Sequence, residues 1–448
     1  MILLKRKHKK FRKSDQRFID ADTKDFNLIF FAFVVGLIAG VLGSVFRLTL
    51  GYISVFRDWL YAGTADAGPA KWVLSLLFGV VGVVVALFLV KKFAPETSGS
   101  GVQEIEGALD EIRPLRWKRV LPVKFIASLF SLGSGLLLGR EGPTIQMGAN
   151  AGKMVKDVFR HPDTKTNSLV SAGAAAGLAS AFNAPLAGII FVIEEMHGRF
   201  RYTFFSVAAI IVASGTADFV VRVLVGADPV IKMMVFTSPP LSAIWLFIVL
   251  GLLFSLVGYV FNKLLILSLD FFSDLSKIAM LLNGIIAGLL IALAGIFYPK
   301  MIGGGYSTIR IVLDHSFPLQ LLIVLFIGRL LLTIFSYGTG VPGGIFAPLL
   351  ALGVVFGMLF GSVMQHYFPG LISHPGIFAV AGMAGIFAST VRAPLTGLVL
   401  AVEMTSNFEL ILPLIITAVT ASLATAQLGN QPIYTTLLER TMSQKKSD

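Results

Sequence analysis

Gly139-Arg140-Glu141-Gly142-Pro143 stands between two apolar stretches, the run from Val120 to Leu138 behind it and a glycine-spaced segment ahead, with Thr144-Ile145-Gln146 as its polar continuation. The pattern puts a carboxylate at or near membrane depth, where a charged side chain costs roughly 2.5–3.5 kcal/mol even on lenient insertion scales. A residue kept there at that cost reads as functional. Pro143 has the signature of a first helical residue, which sets Glu141 just ahead of a helix N-terminus whose unpaired N–H groups attract anions. An acid that can be charged or neutral beside such a helix end is a candidate gate.

The chain around this stretch is far more apolar than a soluble protein of its size: 448 residues, 55% hydrophobic and 14% charged, with a mean hydropathy of +0.82. That composition marks an all-α polytopic membrane protein. Apolar runs long enough to span begin near Phe26, Trp72, Val120, Thr203, Leu241, Ile278, Leu321 and Leu410, with shorter or interrupted ones around Ile145, Leu169, Leu349 and Ile377. The basic run Lys5 to Lys13 precedes the first span and, by the positive-inside rule, stays in the cytoplasm. Arg440, Lys445 and Lys446 make the C-terminal end basic too, which fits an even number of crossings. The net charge of +12 sits largely in these flanks, where it suits anionic lipid headgroups rather than nucleic acid. The first apolar run is too long and too far in for a cleavable signal. Without cysteine there is no disulfide, thiolate metal site or Cys nucleophile, and the six histidines, at 8, 161, 197, 315, 366 and 374, show no metal-ligand spacing. No metal and no cofactor are expected, and an intramembrane enzyme is a distant alternative.

The two halves of the chain repeat. At a separation of 205 residues Lys124 matches Arg329, Gly133-Ser134-Gly135 matches Gly338-Thr339-Gly340, Gly139 matches Gly344, Pro143 matches Pro348, and Gly148 and Gly152 match Gly353 and Gly357. At 209 the register resumes with Ala184-Pro185-Leu186 against Ala393-Pro394-Leu395 and Glu194 against Glu403. Paired, Gly/Pro-interrupted apolar segments in two halves point to a midplane site in a transporter. The four glycines from Gly148 to Gly357 serve either that site or close helix packing, whereas the two Gly-x-x-x-Pro turns each present backbone N–H groups. Glu194 and Glu403, being matched, read as a shared structural device that accepts backbone hydrogen bonds. Glu141 faces Phe346 in the alignment and Glu195 faces Met404. The acids that break the symmetry are the ones expected to do chemistry.

In order, residues 1–25 form a cytoplasmic arm with a short helix over Ser14 to Thr23, 26–225 the first membrane repeat, 226–436 the second, and 437–448 a short cytoplasmic tail. Ser100 and Gln103 have capping-box spacing, so Ser100 reads as an N-cap that either satisfies backbone donors only or offers its hydroxyl to an ion. Glu104 and Glu106 read as cytoplasm-facing acids of the first turn. Arg199 and Arg201 place Glu195 near the cytoplasmic face, either as a solvated acid or as a proton carrier, and Asp218 and Arg222 are spaced as an intrahelical pair. Gly303-Gly304-Gly305-Tyr306 falls roughly where the repeat register would put Gly99 to Val102, with only Gly99 and Gly304 in agreement, and Tyr434 after the last span has the position of an interfacial aromatic.

Together, Gly99-Ser100-Gly101 with Glu104-Ile105-Glu106-Gly107, Gly139 to Pro143, Gly344-Ile345-Phe346-Ala347-Pro348 and Tyr434 resemble the CLC family of chloride channels and chloride/proton antiporters. The pattern is closest to the bacterial antiporters lacking cytoplasmic regulatory domains. The resemblance implies a CLC-type fold of two inverted-topology repeats with broken and tilted helices. It implies that Ser100, Tyr434 and the backbone N–H groups of Ile345 and Phe346 bind a central chloride, that Glu141 is the external gate and proton acceptor, and that Glu195 transfers protons internally. It also implies a homodimer with one pathway per subunit in the bacterial inner membrane. Gln103 departs from the family pattern, where Pro is usual, and Ser100 follows the chloride-selective form. The function expected is exchange of chloride for protons, with a passive, voltage- or pH-gated chloride channel as the alternative.

Overall fold

In lipid every backbone N–H and C=O is satisfied within the protein, so apolar runs of this kind cross as helices. The structure, a computed structural model, describes residues 26–160, 167–200, 202–273 and 275–447. The arm 1–25 with its expected helix, the hydrophilic loop residues His161, Pro162, Asp163 and Lys165, and Arg201 lie outside the described residues. Among those described there are seventeen α-helices and only isolated β-bridges. The first eight are α1 (Phe26–Tyr61), α2 (Pro69–Phe93), α3 (Val102–Leu109), α4 (Trp117–Gly133), α5 (Glu141–Val158), α6 (Ser168–Phe182), α7 (Pro185–Glu195) and α8 (Phe204–Leu224). The next eight are α9 (Ile244–Ser273), α10 (Lys277–Phe297), α11 (Tyr306–Asp314), α12 (Leu319–Gly338), α13 (Phe346–Tyr367), α14 (Gly376–Thr390), α15 (Pro394–Thr405) and α16 (Ile411–Gln427), followed by α17 (Ile433–Ser447).

Eight helices among the described residues are long and apolar enough to cross a membrane. They differ from the expected spans at two places. The Val120 run gives only the 17-residue α4, because the chain leaves the helix after Gly133 and turns through Gly135 at φ 98°. The segment around Leu349, expected to be short, is the 22-residue α13 and is mostly buried inside the protein.

Helices α1–α8 correspond in order to α9–α16, with α17 outside the repeat, and several equivalent pairs pack on each other. Gly139 and Gly344 exchange hydrogen bonds in both directions, N to O at 2.7 Å each way. Such an exchange between equivalent residues is what a two-fold axis produces. The same symmetry recurs at α7 and α15. Glu194 accepts from the N–H groups of Leu395 (3.0 Å) and Thr396 (2.7 Å), and Glu403 from those of Leu186 (3.0 Å) and Ala187 (2.7 Å). Each acid sits in the last turn of one helix and caps the first turn of its counterpart, supplying acceptors to N–H groups that have none within the helix.

Inside each half the packing is equally matched. A side chain at Gly148 or Gly353 would run into the backbone of Gly173 or Gly382, so these glycines let α5 and α6, and α13 and α14, approach at backbone distance. Ser180 sits against Gly43 as Ser389 does against Gly258. The two fully buried cations are structural as well: Lys124 donates to the carbonyls of Thr97 (2.9 Å) and Gly99 (2.8 Å), and Arg329 to those of Met301 (3.3 Å) and Gly303 (3.1 Å). These partners are 204 residues apart, one less than the register read from the glycines and prolines. Asp218 and Arg222 form their pair within α8 at 2.6 Å.

Candidate functional site

α5 starts at Glu141 itself, two residues before Pro143, and the Thr144 N–H reaches back to the Arg140 carbonyl at 3.1 Å. A proline in the first turn has no N–H to leave unpaired, so the helix tolerates it there. The Glu141 side chain is fully buried and reaches across the pseudo-two-fold axis. Its Oε2 accepts the backbone N–H of Ala347 at 3.4 Å, and its Oε1 accepts the hydroxyl of Tyr306. A carboxylate of the first half thus rests on the N-terminal turn of α13 in the second half. Gly139 makes this possible, because a Cβ there would collide with Oε2.

The residues expected at the anion site converge from three elements. Ser100 lies in the turn before α3, Ile345 and Phe346 open α13, and Tyr434 is the second residue of α17. All four are buried. The Tyr434 ring lies 5.7 Å from that of Phe346, and its hydroxyl is beside that of Ser100. Neither hydroxyl makes a hydrogen bond to any other group among the described residues. Ser100 is not the N-cap that the spacing suggests. Gly101 takes that position in the left-handed region at φ 87°, no side chain caps the helix, and Gln103 Oε1 is also unpartnered. The left-handed turn carries Ser100 away from the α3 N–H groups, and its own N–H donates to the Tyr337 hydroxyl at 3.3 Å. Two buried hydroxyls close to a helix start are donors suited to an anion without a full positive charge.

Glu195, the last residue of α7, is only partly buried, but its Oε1 is shielded and makes no hydrogen bond among the described residues. Glu104 and Glu106, expected as cytoplasm-facing acids of the first turn, are both buried. Glu104 is buried in a bidentate pair with Arg113 at 2.7 and 2.8 Å, and Glu106 is fully buried with Arg199 at 3.2 Å. The carboxyl groups of Glu106 and Glu195 lie close enough to act on each other electrostatically. Arg199 binds Asp110 with its other nitrogen.

Two cavities flank the site. One, of about 560 Å³, is lined by Arg47, Arg57, Arg140, Lys300 and Tyr306. The other, of about 490 Å³, is lined by Glu96, Gln103, Arg113, Arg116 and Arg440. The first adjoins the C-terminal half of α1 and the second the C-terminal end of α2; as α1 and α2 cross in opposite senses, the cavities open on opposite sides. Both are rich in cations, which concentrates anions at each mouth.

A model of the voltage gated chloride channel family matches residues 81–426. The chain belongs to this family. It is 46% identical over 435 residues to the H(+)/Cl(-) exchange transporter ClcA of Vibrio parahaemolyticus, covering 96% of this chain and 93% of the relative. Its structure superposes on the crystal structure of a slow cyanobacterial Cl-/H+ antiporter with a TM-score of 0.90 at 40% identity, covering 94% of this chain and 99% of the other. A eukaryotic CLC transporter, 23% identical with a TM-score of 0.78 over 92% of this chain and 73% of its own, shares the fold.

Two residues of this family member escaped the sequence reading. Glu106 carries the pattern of a cytoplasm-facing first-turn acid, and nothing in the local sequence shows that α3 is enclosed on nearly all sides. Tyr306 was seen only as part of a glycine-rich turn. The signal that could have found it is the spacing of the left-handed glycines: Gly99 and Gly101 match Gly303 and Gly305 at 204 residues, which aligns Tyr306 with Val102 at the start of a helix.

Proposed function

We propose that this protein exchanges chloride for protons across the bacterial inner membrane through a pathway gated by Glu141. The observation that carries the reading is the position of the Glu141 carboxylate on the N-terminal turn of α13, next to Ser100, Phe346 and Tyr434. An ionised carboxylate there occupies a helix end that would otherwise attract an anion. Chloride competes with it, held by the hydroxyls of Ser100 and Tyr434 and the N–H groups of Ile345 and Phe346. Protonation removes the charge that favours the seat, and the side chain swings toward the cavity lined by Arg140 and Tyr306. Chloride then takes the seat, and the proton moves opposite to it.

On the other side the adjoining Glu195 and Glu106 relay protons between the interior and the cytoplasm. A passive channel has no use for such a pair, which favours exchange. The names borne by the bacterial relative and the cyanobacterial structure support the same reading. Both termini face the cytoplasm, the chain works as a homodimer with one pathway per subunit among membrane lipids, and no cofactor takes part.

The test is a liposome assay that reports chloride and proton flux together. With Glu141→Gln, proton uptake driven by a chloride gradient falls to background while chloride flux continues, and Glu195→Gln also loses proton uptake. Proton uptake at the wild-type level in Glu141→Gln would falsify the gate assignment.

A further inference from the structure

Tyr306 is held in place by contacts that do not involve its hydroxyl. The Arg140 guanidinium lies over its ring, 4.6 Å from the centroid, and the Phe182 ring meets it at 6.5 Å and 60°. Arg140 is itself anchored to the Ala181 carbonyl at 3.0 Å. The turn that carries Tyr306 is clamped from below, since Arg329 binds the carbonyls of Met301 and Gly303 and the hydroxyl of Thr308. Gly305, in the left-handed region at φ 114°, then starts α11 with Tyr306 as its first residue. The hydroxyl makes one hydrogen bond among the described residues, to Glu141 Oε1.

We propose that Tyr306 is a positioning residue of the gate: its hydroxyl tethers the ionised Glu141 carboxylate in the seat over α13 and so sets the acidity at which the gate is released. This rests on Glu141 being the gate. The Ala347 N–H is the second tether, and at 3.4 Å it is a long, weak bond, which leaves much of the hold to the tyrosine. The charged group that faces Glu141 is Arg140 at the start of its own helix, and Arg47 of α1 faces Arg140 and Tyr306; α13 faces Glu141 with no titratable side chain nearby, and Arg57, Asp58 and Lys300 line the adjoining cavity. Those cations act on the ionised carboxylate in the seat and just outside it alike. The hydroxyl acts on it in the seat only, because the ring contacts fix its position.

A donor to a carboxylate favours the ionised form, so its removal lets the gate take up a proton at higher pH. Tyr306→Phe keeps the ring, the Arg140 contact and the Phe182 contact. In the liposome assay the pH of half-maximal coupled turnover is expected to rise by about one unit in this variant. Chloride affinity of the purified protein at neutral pH, read by titration calorimetry, is expected to increase several-fold, because the competing carboxylate is held less firmly. In a Glu141→Gln background Tyr306→Phe is expected to change neither chloride affinity nor chloride flux in this way, since the group it acts through is gone. An unmoved or acid-shifted pH profile overturns the proposal, as does an equal effect of Tyr306→Phe with and without Glu141. The gate assignment is judged separately, by whether Glu141→Gln alone abolishes proton coupling.

Discussion

The two Gly-x-x-x-Pro entrances share a backbone and differ in what they hold. At the first, Glu141 folds back over Gly139 and reaches the N-terminal turn of α13. At the second, Phe346 turns into an aromatic cluster, 5.5 Å from Phe191, 4.9 Å from Phe387 and 5.7 Å from Tyr434. One frame therefore makes a helix end, and its repeat supplies the side chain that covers it. Duplication made the two entrances alike, and a single residue divides their roles: the phenylalanine builds a dry wall and the glutamate provides a removable charge.

The sharpest way to break the comparison is to put an acid in the second entrance. Phe346→Glu leaves a carboxylate among aromatic rings with no cation, at an expected loss of about 3–5 kcal/mol. Thermal unfolding in detergent and the monodisperse fraction on gel filtration measure it, and wild-type stability would show that the cluster is less closed than the ring distances indicate. A smaller effect separates the two glycines. A Cβ at Gly344 would sit 2.8 Å from the Gly142 backbone nitrogen, whereas one at Gly139 would first meet the mobile end of Glu141. Gly344→Ala should cost about 1–3 kcal/mol. Gly139→Ala should cost less but raise chloride flux at neutral pH by displacing the gate. The two are distinguished by running stability and flux on both, and equal stability losses would count against the difference in what the two entrances hold. The smallest effects sharpen the symmetry. Glu194→Gln and Glu403→Gln each weaken a pair of cap bonds and should cost about 1 kcal/mol, slightly more for Glu194, which also accepts the Thr396 hydroxyl at 2.8 Å. Unfolding temperatures that differ widely between these two variants would mean that the caps are not equivalent.

Much of the fold was legible because duplication writes it twice. Glycines and prolines at matched positions mark turns and close approaches whatever surrounds them, so the repeat, the two entrances and the capping role of Glu194 and Glu403 could be read before any coordinates. The exact helix starts could not. Pro143 suggested the first helical residue, and the helix begins at Glu141. Ser100 and Gln103 carried a capping pattern, and a left-handed Gly101 overrode it. Side-chain spacing describes a cap only if the backbone between the two residues keeps the usual course, and a glycine removes that guarantee.

What the sequence determined by itself is the membrane class, the family, the two-fold plan and the identity of the acids that depart from it, since each depends on residue type and spacing along one chain. What only the tertiary structure decided is which groups meet across that plan: Glu141 with Ala347 and Tyr306, and Glu195 with Glu106. Those partners are separated by between 89 and 206 residues. No local periodicity links them, because their meeting is set by how two helical halves pack about an axis, and a one-residue change of register, as between Gly99 and Gly303, decides which side chain faces the gate.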